Sequence, residues 1–241
     1  NSMFNFTSRL KNFRPDNLHL TNKYEAPDIS CSLNADFTGN NIDNLEGSIT
    51  LDSLLFTTKP DSFFLKKLKV EATGHSLDRH LNITSDILNG EVTGAYSFTT
   101  IVPSFMQTLK GYVPALVNVT QKKQKVMENN FSLLLTIENT EAISNTLKLP
   151  ITMLNQARIT GHYNNQYNRF RLEAYLPKFN IGKSMFESGY LTCDNPEDMV
   201  NLKLKATNYN AKGLRNYMNL KINAKDNQIQ TQIGWANNKE R

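Results

Sequence analysis

Only two cysteines, Cys31 and Cys193, occur in 241 residues. That excludes a disulfide framework and any zinc site built on several thiolates. Arithmetic allows one bridge between them, although two isolated thiols in β segments are more often unpaired. No run of 18 apolar residues exists, so no segment reads as a transmembrane helix. The opening Asn1-Ser2-Met3-Phe4-Asn5-Phe6 lacks the basic start and apolar stretch of a signal peptide. So abrupt a beginning suggests a piece of a longer chain. One-signed charge clusters are scarce too: 27 basic and 22 acidic residues are interspersed, for a net +5. A nucleic-acid surface would need Lys and Arg clustered among aromatics, so no nucleic-acid partner is expected. The nearest thing to a basic run, Gln121-Lys122-Lys123-Gln124-Lys125, reads as an exposed linker.

The constellations of catalysis are also missing, and the expectation is a protein that is not an enzyme. His75-Ser76-Leu77-Asp78 holds the letters of a hydrolase triad, but neighbours on one turn do not supply its geometry, and there is no Gly-x-Ser-x-Gly elbow. His19, His75, His80 and His162 show no ligand spacing. Asp194, Asn195, Glu197 and Asp198 form an acidic turn without the EF-hand spacing or its glycine, and read as a solvated turn. No glycine-rich phosphate loop is present, and neither a metal nor a cofactor is implied.

What is present is alternation. From Leu33 to Phe56, strand, polar loop and strand follow one another with one apolar and one polar side. The pattern recurs over Leu68 to Ala72, Leu81 to Ile83 and Val92 to Phe98, with Asn89-Gly90 as a hairpin signal and Lys59-Pro60-Asp61 as a turn. Before it, Met3, Phe6, Leu10 and Phe13 fall at spacings of three and four and predict a short basic amphipathic helix ended by Pro15, with a short strand at Leu18 and Leu20.

Phe105, Leu109, Tyr112 and Val113 recur at helical spacing between Pro103 and Pro114. Strands then resume at Phe131 to Ile137, and a short helix or irregular excursion spans Glu141 to Leu154. Further strands are expected at Ala157 to Tyr163, Phe170 to Leu176, Phe179 with Ile181, Phe186 to Thr192, Val200 to Ala206, Met218 to Ala224 and Ile229 to Trp235.

The chain therefore divides into residues 1–32 leading into the sheet, a first meander over 33–100, a helical crossing segment and linker over 101–130, and a second meander over 131–241. The fold class is all-β with short helical inserts, built of antiparallel meanders.

One-sided alternation fits two arrangements. The apolar faces close on each other as a sandwich core, or the sheet forms an open groove whose lining takes lipid chains. In the groove arrangement the first meander contributes Leu33, Ala35, Phe37, Ile49, Leu51, Leu68, Val70, Leu81 and Ile83. The second contributes Leu133, Leu135, Ile159, Leu172, Ala174, Leu202, Leu204, Leu220, Ile222, Ile229 and Ile233.

The stretch NLHLTNKYEAPDISCSLNADFTGNNIDNLEGSITLDSLLF, Asn17 to Phe56, resembles the periplasmic part of TamB-like proteins (the translocation and assembly module family) of the Bacteroidetes type. The resemblance continues through LNITSDILNGEVTGAYSF, Leu81 to Phe98, the Phe105 to Leu116 segment, and the closing strand Ile229 to Trp235 with Ala236-Asn237-Asn238. It implies a β-taco or repeating β-groove in the periplasm, with an inner-membrane anchor outside this sequence. It also implies phospholipid acyl chains as cargo, an Omp85-type outer-membrane partner engaged through regions outside this chain, no cofactor and no catalytic residues. The runner-up expectation is a β-rich scaffold or chaperone module that helps assemble outer-membrane proteins through exposed sheet edges. An outer-membrane barrel is disfavoured by the helical insert and the lack of aromatic girdles.

Overall fold

A computed structural model describes residues 2–75, 77–117, 127–209 and 213–237. The run Gln121–Lys125, together with Ser76 and Asn238, lies outside the described residues. The first half contributes strands β1 (Met3–Phe13), β2 (Asp28–Thr38), β3 (Glu46–Thr57), β4 (Ser62–His75), β5 (Asp78–Ser85) and β6 (Leu88–Ala95), followed by helix α1 (Ile101–Lys110). The second half contributes β7 (Asn130–Ile137), helix α2 (Glu141–Leu147), β8 (Ile151–Met153), β9 (Ala157–Asn164), β10 (Arg169–Ile181), β11 (Ser184–Asp194), β12 (Val200–Tyr209), β13 (Arg215–Lys225) and β14 (Gln228–Asn237).

These strands form one antiparallel sheet. Its order follows the chain from β1 to β7, then β9 to β14, with the short β8 added beside the end of β10. β6 pairs directly with β7 from Leu88↔Ile137 to Ala95↔Asn130, so the two meanders are one continuous sheet despite the helical segment between them. Among the described residues β1 and β14 do not pair with each other, and the sheet stays open. Thirteen strands at a spacing of about 4.8 Å make it on the order of 58 Å wide.

The amino-terminal segment departs from its sequence pattern. Met3–Phe13 is a strand rather than a helix, paired with β2 from Met3↔Thr38 to Phe13↔Ile29. Phe4, Phe6 and Leu10 alternate with period two. An extra residue near Asn12, whose φ is +49°, shifts Phe13 by one place and imitates helical spacing. Leu18 and Leu20 are exposed residues of a turn in which the His19 and Leu20 amides donate to the Asp16 and Pro15 carbonyls, and they form no strand.

Asn89-Gly90 is likewise not a turn, because both residues lie inside β6. The β5–β6 turn is at Asp86-Ile87, where the Ser85 hydroxyl accepts from the Ile87 and Leu88 amides. In β4, Phe63 and Leu65 are buried while Lys66 and Lys67 are both exposed. The Asp86 carboxylate accepts the consecutive amides of Lys66 and Lys67 at 2.8 and 3.2 Å, a bulge-like break that resets the alternation before Leu68.

Candidate functional site

The pairing registers place the apolar residues in rows, since residues opposite each other in an antiparallel sheet share a face. One row runs Phe6, Ala35, Ile49, Val70, Ile83 and Gly90 across β1 to β6. It continues without interruption through Leu135, Ile159, Ala174, Leu191, Leu204, Leu220 and Ile233. The next row begins with Phe4, Phe37, Gly47, Ala72, Leu81 and Val92. It proceeds through Leu133, Gly161, Leu172, Cys193, Leu202 and Ile222, and meets a polar residue only at Thr231 in β14.

Leu33, Leu51 and Leu68 start a third row on the same face. Ile229, opposite Ala224, lies toward the other end of the strands. All twenty residues assigned to the lining from sequence therefore share this face. Sequence reasoning missed Phe4, Phe6, Leu191 and Cys193. Helical spacing of Met3, Phe6, Leu10 and Phe13 conceals the alternation of β1, and the irregularity between Glu187 and Tyr190 breaks the alternation that leads to Leu191 and Cys193.

The opposite face is polar. Asp36, Ser48, Glu71, Asn82 and Glu91 lie side by side, and after Leu134 the same row carries Thr160, Glu173, Thr192, Lys203, Lys221 and Gln232. Most of the apolar lining is half-buried; Ala35, Leu81 and Ala174 are buried, while Ile49 and Ile233 are 36% and 65% exposed. No second sheet covers the face among the described residues. The sandwich arrangement is thus not the one adopted.

An aromatic cluster stands at each end of part of the face. At one end Tyr24, Phe56 and Phe63 meet with centroids 5.5 and 5.7 Å apart, and α2 reaches back from β7 to β4. At the other end Phe105 of α1 packs edge-on against Tyr163 and Phe170 at 5.6 and 5.2 Å, and Phe131 joins Tyr163 to Tyr96. Because Phe131, Tyr163 and Phe170 stand opposite one another two positions beyond Leu133, Gly161 and Leu172, α1 sits on the apolar side.

The segment 96–117 is a strap along this end of the sheet. Its start is held by Asp43 of the β2–β3 turn, which accepts from Ser97 Oγ at 3.1 Å and from the Thr99 hydroxyl. Burial alone would raise the Asp43 pKa; the hydrogen bonds from Thr99 and Ser97 outweigh it and hold the carboxyl below its usual range. Its far part reaches the β13–β14 turn, where Asn227 donates to the Tyr112 carbonyl at 2.8 Å and accepts from the Ala115 amide at 3.0 Å.

Two fully buried asparagines fasten the strap between these points. Asn129 accepts from the Ser97 amide and donates to Thr100 and Ser104. Asn195 accepts from the Phe170 amide and donates to the Tyr112 hydroxyl at 2.7 Å. Buried amide groups must find such partners, and these two find them across distant parts of the chain. The acidic turn that holds Asn195 is therefore not wholly solvated, while Asp198 pairs with Arg169 at 3.2 Å at its surface.

Beneath the start of the strap lies a cavity of about 210 Å³ lined by Phe37, Ile42, Ile49, Val70, Leu81 and Phe98 among others, with two charged residues among the described ones, Arg79 and Glu46, the latter paired with His75. Arg79 is 5% exposed, donates to the Tyr96 carbonyl at 2.7 Å and lies 4.3 Å from the Tyr96 ring centre. The Tyr96 hydroxyl is buried without a partner among the described residues, and its burial pushes its pKa up although Arg79 draws it down.

The remaining sequence candidates are dispersed. His75 faces Glu46, His80 faces Asp78, and His162 meets Ser132 at 3.4 Å. Cys31 and Cys193 are free, and burial pushes the Cys193 thiol up. Among the described residues no group of three or more metal-ligating side chains converges, and no helix is long and apolar enough to cross a membrane.

Fold and site together define an open antiparallel sheet with one apolar face. Compared with protein-family models, curated proteins and solved structures, the chain matches none.

Proposed function

We propose that this chain is a non-catalytic periplasmic segment of a TamB-like envelope-biogenesis protein, whose apolar groove shields acyl chains as phospholipids pass between inner and outer membrane. The observation that carries the reading is the pair of apolar rows spanning the sheet, mostly half-buried and facing a side that no second sheet covers among the described residues. Each methylene withdrawn from water onto such a surface gains about 0.8 kcal/mol. A uniform lining keeps successive positions nearly equal in energy, so a chain can slide along the rows without a covalent step. An inner-membrane anchor and an Omp85-type partner belong to this reading through regions outside the chain. Replacing Leu133 or Leu172 with glutamate tests it: transport is expected to fail while strand content is retained, and unimpaired transport would refute it.

One observation favours a second reading, a scaffold that assists outer-membrane protein assembly. The edge strand β14 is exposed along its whole length and carries no charged residue, whereas natural edges are usually guarded by charge or proline. Among the described residues no strand pairs with its outer edge, and such an edge suits strand addition. Crosslinks from β14 to strand peptides, with no lipid retained, would favour this alternative.

A further inference from the structure

Arg79 is a charged residue on the apolar face. Its register, Gly74↔Arg79↔Gly94, puts it in the row beyond Ala72, Leu81 and Val92, flanked by two residues without side chains. It is 95% withdrawn from solvent, yet no carboxylate lies within ion-pairing distance of it among the described residues. Glu46 lines the same cavity but its carboxylate pairs with His75, and the Asp43 carboxylate is engaged by Ser97 and Thr99. One guanidinium nitrogen serves the Tyr96 carbonyl, and the guanidinium carbon lies over the Tyr96 ring. A guanidinium carries five N–H donors in a fork that matches an oxyanion. Burying such a charge unpaired is costly, so a site of this kind is built for a counter-charge.

The cavity beside it supplies the other half of a recognition element. Its walls include Phe37, Val70, Leu81 and Phe98, together with Ile42 and Ile49, which are also exposed to solvent. At about 210 Å³ it is smaller than the roughly 300–1,000 Å³ of ordinary ligand pockets. It has room for a head and the first methylenes of a chain, while Ile49, Val70 and Leu81 lead from it onto the two apolar rows.

We infer that the Arg79 cavity binds the oxyanion head, carboxylate or phosphate, of an acyl amphiphile whose chain continues along the apolar rows. This rests on the lipid-groove reading and adds a fixed docking point to a lining that is otherwise uniform.

Competition binding on the full chain with oleate, 1-oleoyl lysophosphatidate, oleyl alcohol, acetate and inorganic phosphate tests it. A charge-assisted hydrogen bond is worth about 1.5–3 kcal/mol, so one or both oleoyl anions should bind at least roughly tenfold more tightly than the alcohol. Preference for oleate identifies a carboxylate head and preference for lysophosphatidate a phosphate head. Acetate and inorganic phosphate should compete weakly.

In Arg79→Met the anion-to-alcohol ratio should fall toward one with alcohol binding kept, and Arg79→Lys should retain part of the preference. Taking the ratio within each variant separates recognition from any loss of stability. If Arg79→Met does not fold, the wild-type and Arg79→Lys ratios decide. Equal binding of alcohol and both anions, or a preference that survives Arg79→Met, overturns the inference while leaving the groove reading standing. Tight binding of phosphate or acetate alone overturns the amphiphile. Failure of every oleoyl ligand, the alcohol included, overturns both readings.

Discussion

Asn195 and Tyr112, 83 residues apart in the chain, meet in a buried hydrogen bond of 2.7 Å that joins the turn after β11 to the strap beyond α1. The same asparagine accepts from the Phe170 amide, so one side chain ties the strap to two strands. Replacing Asn195 with leucine leaves the Phe170 amide and the Tyr112 hydroxyl without their partner. The expected cost is about 2–4 kcal/mol, read as a lower urea midpoint. Tyr112→Phe should cost only about 1 kcal/mol, and the double variant should cost less than the sum of the two.

The Asp86 carboxylate holds the break in β4 by accepting the Lys66 and Lys67 amides. Burial would raise its pKa, but the Lys66 and Lys67 amides outweigh this and hold it below its ordinary 3.8. A group whose folded pKa is depressed stabilises the fold fully above the unfolded value and loses that contribution as pH falls through the folded one. The stability gap between the protein and Asp86→Asn should be widest near neutral pH and close on acidification below the ordinary carboxylate range. A gap that does not change with pH would contradict this role.

Two glycines on the apolar face differ in what would meet a side chain. A Cβ on Gly47 (φ +128°) would stand 2.2 Å from the Asp36 carbonyl oxygen, which is backbone. On Gly90 it would stand 2.6 Å from Leu135 Cδ2, the end of a flexible side chain. Gly47→Ala should therefore destabilise more than Gly90→Ala, for which overpacking costs about 1–3 kcal/mol. Thermal or urea unfolding of the two variants ranks them, and the reverse order would contradict the packing described.

Most strands were legible because one face is apolar and a period of two is hard to mistake. The errors fall where an extra residue breaks that period. Asn12 made β1 imitate a helix, and the bulge at Lys66-Lys67 hid Phe63 and Leu65 from a β4 read as starting at Leu68. Asn89-Gly90 has the letters of a turn, but Gly90 lies between Ile83 and Leu135, where the Leu135 side chain fills its space. Asn129, Asn195 and Arg79 left no local trace. Their partners are 25 to 83 residues away for the asparagines' ties to the strap and 17 away for Arg79, and only the folded sheet brings them together.

The proposed lipid groove rests on the continuity of the apolar rows through β6 and β7. The most direct test is mass spectrometry of lipids retained by the gently purified chain, beside Leu133→Glu and Leu172→Glu on the apolar face and Thr160→Glu on the polar face. Phospholipid is expected with the unaltered chain and with Thr160→Glu, and is expected to be largely lost from both leucine variants at unchanged strand content. Absence of lipid from the unaltered chain, or equal retention by all four proteins, would contradict the account.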